Sequence, residues 1–169
     1  MTEQKQNTMR DFKMEKVVLS IGGVGEYLAR GHKLLEVLTD RKPAKTKSVK
    51  RIPALGVRPG LELGTVVTVR KNPEEFLKKF LIAEDNVLKK KQISNNNFSF
   101  GVKEYIEIPG MEYDRDIGIM GFDVTVVFKR AGRRVRLRKI KKGKIPKRQV
   151  IKPEEIIKYM EEKFQTKFK

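Results

Sequence analysis

Three glycines follow a short apolar run near the amino terminus, in a pattern that could hold a phosphate. Residues 18–38 read VLSIGGVGEYLARGHKLLEVL, so a β-rich run reaches Gly22, Gly23 and Gly25 and a helix-like pattern follows. Backbone N–H groups of a glycine turn at a helix start bind phosphate in many nucleotide-binding proteins. The stretch therefore suggests a nucleotide-dependent enzyme, a phosphate contact of another kind, or a turn in which glycine only permits tight bending.

The spacing of these glycines does not fit the motifs of nucleotide cofactors. A dinucleotide fingerprint has the form G-x-G-x-x-G, with an acid about 20 residues further on after a second strand. Counted from Gly23, the third glycine would fall at Leu28, and the helix is followed by RKPAKTKS instead of an apolar strand. The G-K-[ST] of a Walker A loop is absent as well. A tight turn and an RNA phosphate at the helix start both remain open.

The remaining residue types that could catalyse a reaction or bind a metal do not form a catalytic or metal-binding set. The sequence has no cysteine and one histidine, His32, which excludes disulfides, thiol catalysis and a cysteine- or histidine-based metal site within the chain. Glu112, Asp114 and Asp116 could in principle bind Mg²⁺, but acids between two strands are more often turn residues. We therefore predict no enzyme activity, no cofactor and no metal.

The positive charge is concentrated in two blocks. The net charge is +18, yet residues 41–58 hold seven Lys and Arg and residues 129–148 hold twelve, with no acid in either block. The rest of the chain has 20 basic and 21 acidic residues and is nearly neutral. Such blocks suit a polyanion, most commonly nucleic acid. No apolar run approaches 18 residues, no secretory signal is present, and neither block forms a basic amphipathic helix, so we predict no membrane partner.

The spacing of apolar residues predicts the strands and helices of the chain. Strands are predicted over 13–21, 64–70, 98–108 and 119–129, and helices after Gly25, after Asn72 and after Pro153. Residues 1–12 are predicted to be a flexible tail, 41–63 a long basic loop with room for a short strand, and QISNNN a polar loop. Residues 129–150 are predicted to be a basic region that is either an edge strand or a basic arm near Val135, and the final KFQTKFK a frayed end. Phe98 and Phe100 fall on one strand face and are predicted to pack in the core.

This order of elements predicts a fold of the α+β class. Strands and helices alternate at first, and two strands then follow one another directly. The pattern favours one two-layer domain over residues 13–165, with a mostly antiparallel sheet and the helices packed on one face. The other face of the sheet would be free for function.

Four segments resemble a known family. EKVVLSIGGVGE, TDRKPAKTKSVKRIPALGVRPG, GTVVTVR and FSFGVKEYIEIPGMEYDRDIGIMGFDVTVVFKRAGRR occur in that order, and together they resemble the ribosomal protein L five family. The KIPKR before the last helix is similar to its archaeal and eukaryotic branch. The resemblance implies a curved sheet and no catalytic activity. It also implies that the protein is cytoplasmic and bound to the ribosome. It also implies binding to 5S rRNA, large-subunit rRNA, P-site tRNA and neighbouring large-subunit proteins of the central protuberance.

The resemblance and the charge blocks also imply positions for the contacts. In the first half of the chain, rRNA contacts are expected at Ser20, Gly23, Arg41, Lys42, Lys45, Thr46, Lys47, Lys50, Arg51, Leu55 and Thr68. In the arm they are expected at Arg133, Arg134, Arg136, Arg138, Lys141, Lys142, Lys147 and Arg148. The turn of a tRNA-facing loop is expected at Gly56, Val57, Arg58, Pro59 and Gly60. The alternatives are a general RNA-binding module or RNA chaperone outside the ribosome, and a nucleotide-dependent enzyme.

Overall fold

In the computed structural model, which describes residues 10–169, most strands join one antiparallel sheet. The strands are β1 (Phe12–Gly22), β2 (Ala44–Lys47), β3 (Glu62–Val69), β4 (Val87–Leu88), β5 (Ile93–Ser94), β6 (Asn97–Val102), β7 (Phe122–Arg130) and β8 (Lys167–Phe168). The helices are α1 (Glu26–Thr39), α2 (Pro73–Ile82), α3 (Arg134–Leu137) and α4 (Pro153–Phe164). Six strands form the main sheet in the order β2-β3-β1-β7-β6-β5, and each of its pairings is antiparallel.

Alternation along the strands separates a core face from an open face. On β1, Val17, Leu19 and Ile21 are buried, and β7 buries every second residue from Phe122 to Phe128. Residues of α1, α2 and α4 complete the same core, among them Leu34, Leu35, Leu77, Phe80, Leu81, Ile156 and Met160. Successive strand side chains point to opposite faces, so all three helices cover one side of the sheet. The predicted two-layer α+β fold is confirmed, and Phe98 and Phe100 lie in its core.

The long helices begin where backbone geometry, proline and acids favour a start. Gly25 precedes α1 with φ 64°, a left-handed conformation that suits glycine. Both α2 and α4 begin at a proline followed by two glutamates, which favour the positive end of a helix dipole. Asn72 precedes α2 but does not cap it through its side chain: its backbone is left-handed (φ 47°), and its amide donates to the Glu75 carboxylate at 3.3 Å.

The strand predicted over 98–108 is shorter in the structure. β6 ends at Val102, which lies opposite Phe122, the first residue of β7. Beyond that pair β6 has no partner strand, and the chain turns into a 3₁₀ helix over Tyr105–Glu107. Tyr105 and Ile108 remain buried, which explains why their apolar spacing imitates a continuing strand.

Two segments between elements differ from the edge strand and the loop that the sequence allowed there. Residues 133–138 do not form an edge strand, because Gly132 (φ 85°) turns the chain away from the sheet and the helical turn α3 follows. Val135 and Leu137 are exposed there, so their alternation has no buried face behind it. The QISNNN segment is more ordered than a loop, since β5 pairs with β6 across a tight turn at Asn96 (φ 65°).

The two ends of the chain differ from the predicted tails. The carboxyl end does not fray: Thr166 is buried, and β8 pairs in parallel with β4. At the amino end, residues 1–9 of the predicted flexible tail lie outside the described residues, whereas Phe12 already begins β1 and packs against Phe128 and Tyr159. Within residues 10–169 the packed fold therefore includes residue 12 and continues beyond residue 165. No helix within residues 10–169 has the length and apolar character to cross a membrane.

Candidate nucleic-acid interface

The face of the sheet opposite the helices carries short side chains. Two rows cross it from strand to strand: Thr68, Val18, Thr125 and Ser99 form one, and Ala44, Val66, Ser20, Asp123 and Gly101 form the next. None of these nine residues is aromatic, and five of them are threonine, serine or aspartate. The sequence places Ser20 and Thr68 among the RNA contacts, and the structure brings them to this open face in adjacent rows.

Arg41 lies beside Thr68. Its Nη1 donates a hydrogen bond to the Thr68 carbonyl oxygen at 3.2 Å, which ties the end of α1 to β3. A guanidinium has five N–H donors, so donors remain for a phosphate or a base edge. Arg41, Thr68 and Ser20 thus gather in one region of the sheet, although they are far apart in sequence.

The basic loop predicted over 41–63 is mostly a β-hairpin. β2 pairs with β3, and Ser48 and Leu61 extend the pairing through an N–H···O bond of 2.9 Å. Thr46 lies opposite Gly64, on the open face. Lys45 lies opposite the buried Thr65, near Leu28 and Ala29 of α1, and therefore on the helix side. The predicted contacts Lys45 and Thr46 are thus divided between the two faces of the sheet.

Glu62 neutralises part of this hairpin. Its carboxylate lies 2.9 Å from Lys45 Nζ and 4.0 Å from Lys47 Nζ. The hydrogen bond from Lys45 and the charges of both lysines lower the pKa of Glu62. A lowered pKa in the folded state keeps this glutamate ionised at neutral pH, and the ion pair is lost only as pH falls through that lowered value. Any anion that approached these two lysines would therefore have to compete with Glu62.

The turn of the hairpin lies slightly earlier than predicted. Ile52 and Val57 exchange two backbone hydrogen bonds of 2.9 and 3.1 Å, and the turn between them is Pro53–Gly56. Val57, expected in the turn, is buried, whereas Leu55 is 74% exposed. The cations Lys42, Lys50, Arg51 and Arg58 are exposed along the hairpin, as are Pro59 and Gly60. The turn therefore presents Leu55 and Gly56 with cations on both sides.

The arm over 129–150 is anchored by some of its cations and exposes the others. Arg133 Nη1 pairs with Glu15 at 2.5 Å, Lys129 lies 3.7 Å from the same carboxylate, and Arg130 pairs with Glu155. The exposed predicted contacts are Arg134, Arg136, Arg138, Lys141, Lys142, Lys147 and Arg148. Arg133 is consequently an anchor of the arm, whereas these seven cations face solvent.

The hairpin and the arm lie at opposite ends of β1. Phe12, the first residue of β1, lies opposite Arg130 at the start of the arm, and Gly22, the last, lies opposite Gly64 of the hairpin. With a rise of about 3.3 Å per residue, the two regions are roughly 30 Å apart. The open face lies between them, so an RNA that contacts both must extend along the sheet.

The glycine turn serves the fold. Gly23 N–H donates to the Leu63 carbonyl at 2.9 Å, and a Cβ on Gly23 would lie 2.4 Å from Tyr27 Cδ1. Tyr27 of α1 is 46% exposed, and its ring lies against Gly23. The turn is therefore tight because Tyr27 packs against Gly23. Gly23 itself is half-buried, and its contact with RNA stays a prediction.

The acids near Asp114 form a structural contact. Lys33 Nζ lies 3.0 Å from Asp114 and 2.8 Å from Asp116, which ties α1 to the segment before β7. The N–H of Asp116 donates to Asp114 Oδ1 at 2.9 Å, and this bond, followed by the one from Lys33, lowers the pKa of Asp114. Within residues 10–169 no group of His, Asp and Glu is arranged to hold a metal ion, and His32 is half-buried.

Some candidate residues of the interface were missed from the sequence. Thr125 and Ser99 share a row with Thr68, and their positions between buried neighbours on β7 and β6 could have identified them. Glu62 gave no such signal, because its effect depends on the pairing of β2 with β3.

Comparison with known proteins identifies the relatives of this chain. Residues 62–156 match the pattern that describes the carboxyl-terminal part of the ribosomal protein L five family. The chain is 42% identical to the large ribosomal subunit protein uL5 of Picrophilus torridus, over 99% of this chain and 98% of that protein. It is 42% identical to uL5 of Sulfolobus acidocaldarius, over 95% and 93% of the two chains, and 41% identical to uL5 of Nanoarchaeum equitans, over 93% and 95%. The chain belongs to the ribosomal protein L five family, in its archaeal form.

Proposed function

We propose that this chain binds 5S rRNA and large-subunit rRNA in the central protuberance and contacts the P-site tRNA through its hairpin. As a member of the family it is a structural, non-enzymatic constituent of the large subunit of cytoplasmic ribosomes. One observation carries the proposal: an open polar sheet face lies between two basic regions. Of their 19 cations, five form ion pairs, which leaves fourteen without an acidic partner among the described residues.

The two kinds of surface have different roles in this proposal. Phosphate contacts from the free cations position the RNA but carry little sequence information. The hydroxyls and backbone edge around Ser20 and Thr68 meet unstacked loop bases, which are the usual targets of sequence-specific RNA recognition. Specificity therefore depends on the sheet, and most of the affinity depends on the hairpin and the arm.

The hairpin turn is the part best suited to a second RNA. Leu55 and Gly56 lie at its end, and exposed Arg51 and Arg58 flank them. A small exposed turn with cations on both sides fits the backbone of a structured RNA such as tRNA. Neighbouring large-subunit proteins would contact the remaining surface.

Filter binding tests the proposal against a general RNA-binding module. The full chain is titrated with 5S rRNA and with an unrelated structured RNA of equal length, at low and high salt. We expect tighter binding of 5S rRNA, and a larger ratio at high salt, where non-specific phosphate contacts weaken first. Equal affinities at high salt would favour the general module. A thermal shift caused by ATP or NAD would revive the nucleotide-enzyme alternative.

Thr68→Ala and Arg41→Ala are expected to weaken 5S rRNA binding. Loss of one hydroxyl contact corresponds to about a threefold to tenfold effect, and loss of a charged donor to about tenfold or more. Melting should change little for Thr68→Ala, whereas Arg41→Ala also loses its bond to the Thr68 carbonyl. Thr68→Ser keeps the hydroxyl, and Arg30→Ala removes an exposed cation of α1, so both serve as controls. Unfolding of Thr68→Ala would mean that this residue belongs to the core.

Glu62→Gln is expected to strengthen RNA binding. Without the carboxylate, Lys45 and Lys47 become free for phosphate, so affinity at low salt should rise and the log–log salt slope should steepen by up to about 0.9 per added contact. Glu161→Gln makes the same change of net charge on the exposed side of α4 and is the matched control. Equal effects of both variants would show that only net charge matters.

A further inference from the structure

An open cavity of about 580 Å³ lies where the arm leaves and rejoins the sheet. This lies within the range of ligand pockets, about 300–1,000 Å³. Its lining includes the cations Arg136, Lys142 and Lys144, the aliphatic side chains of Ile145 and Val150, and the amide of Gln149. The sequence predicts only a basic arm here, so an open cavity with charged, apolar and amide groups is an additional feature.

Hydrogen bonds along the arm hold the walls of this cavity in place. Gly143 N–H donates to the Val135 carbonyl at 3.1 Å, so the outer part of the arm folds back on α3. Arg130 Nη1 donates to the Arg148 carbonyl at 3.1 Å, and Ile151 N–H donates to Asn96 Oδ1 at 2.9 Å, where the arm rejoins the sheet. These bonds fix the backbone at both ends of the arm, and the cavity between them stays open to solvent on one side.

The lining is suited to an anion that also has a flat polar part. Arg136, Lys142 and Lys144 have no acidic partner among residues 10–169, so a phosphate between them would relieve their mutual repulsion. The side-chain amide of Gln149 is half-buried and makes no hydrogen bond to another described residue, so it has both a donor and an acceptor to offer. Ile145 and Val150 are half-buried and provide an apolar surface beside this amide.

We propose that this cavity takes one unstacked nucleotide of the bound RNA. Its phosphate contacts the three cations, its base packs against Ile145 and Val150, and the amide of Gln149 bonds to the edge of the base. The inference rests on the proposed RNA binding and adds a single-nucleotide site to it. Inorganic phosphate would satisfy only the cations, whereas a nucleotide satisfies all three parts of the lining.

The first test is an amide NMR titration of the full chain with AMP, UMP, adenosine and inorganic phosphate. We expect the nucleotides to shift the resonances of Gly143, Gln149 and Val150, with an affinity about tenfold higher than that of inorganic phosphate. Adenosine should bind more weakly than AMP because it lacks the phosphate. Equal affinities for nucleotide and inorganic phosphate would overturn the proposal, because charge alone would then explain binding.

The second test uses variants in the same titration and in 5S rRNA filter binding. Gln149→Ala should weaken nucleotide binding about fivefold and leave the affinity for inorganic phosphate unchanged. Lys152→Gln removes a neighbouring exposed charge outside the cavity and is the control. Absence of nucleotide-induced shifts in a sample that still selects 5S rRNA would overturn the nucleotide site and leave the proposed function intact. If the unmodified chain does not bind 5S rRNA more tightly than unrelated RNA, that result would instead contradict the proposed function.

Discussion

Raising salt from about 50 mM to about 200 mM is expected to weaken the binding of this chain to 5S rRNA by about a thousandfold or more. Each phosphate neutralised by Lys or Arg releases counterions, and six to ten such contacts produce losses of about 10³ to 10⁵ over this interval. Fourteen cations of the hairpin and the arm have no acidic partner among the described residues, so six contacts require fewer than half of them.

Filter binding across a salt series gives the slope of the logarithm of the binding constant against the logarithm of the salt concentration. Arg134→Gln in the arm and Arg51→Gln in the hairpin should each lower the slope by roughly 0.7 to 0.9, because both side chains are exposed and lack an acidic partner among residues 10–169. Lys158→Gln in α4 lies outside both basic regions and should leave it unchanged. A shallow slope in the unmodified chain, equivalent to one or two contacts, would contradict binding through the two basic regions.

Phe128→Ala is expected to lower the free energy of unfolding by about 3–5 kcal/mol. Its side chain is fully buried, and its ring lies 5.7 Å from Phe12, 5.9 Å from Phe98 and 5.7 Å from Tyr159. These residues belong to β1, β6 and α4, so one ring joins three elements to β7. Removing it leaves a cavity at the centre of the sheet, and the melting temperature should fall by about 10 °C.

Urea and thermal unfolding measure this loss. Tyr113→Ala, which truncates a tyrosine that is 56% exposed, should change stability by less than about 0.5 kcal/mol. Phe128→Leu keeps most of the apolar volume, so its loss of stability should lie between those of Phe128→Ala and Tyr113→Ala. Similar melting of Phe128→Ala and Tyr113→Ala would show that the aromatic cluster is not a centre of stability.

The parts of the fold that were predictable from sequence are those where local pattern and burial agree. β7 alternates along most of its length, as does the second half of β1, and every second residue there is buried. The pattern failed where burial depends on distant partners. Tyr105 and Ile108 continue an apolar pattern, yet β7 gives β6 no partner beyond Val102. The carboxyl-terminal strand β8 depends on a two-residue partner, β4, which lies far earlier in the chain.

The candidate interface was predictable in its charge and not in its geometry. The two basic blocks are visible in the sequence, but the partner of Arg133 is Glu15, 118 residues away, and no local rule identifies it. Lys45 and Thr46 are adjacent in sequence, and pairing with β3 sends them to opposite faces. Charge is a property of composition, whereas the choice between anchoring a fold and contacting RNA depends on tertiary pairing.

The central pairing of β1 with β7 has a consequence for how the chain folds during its synthesis. About 100 residues separate the end of β1 from the start of β7, and translation at about 5–20 residues per second needs roughly 5–20 seconds to make them. The hairpin of β2 and β3 can form beside β1 during this time, but the other edge of β1 stays open. α4 and β8, which close the core, emerge last. A half-made chain therefore exposes apolar β1 residues and a full basic hairpin together, and we expect aggregation of nascent chains to be most favoured before β7 emerges.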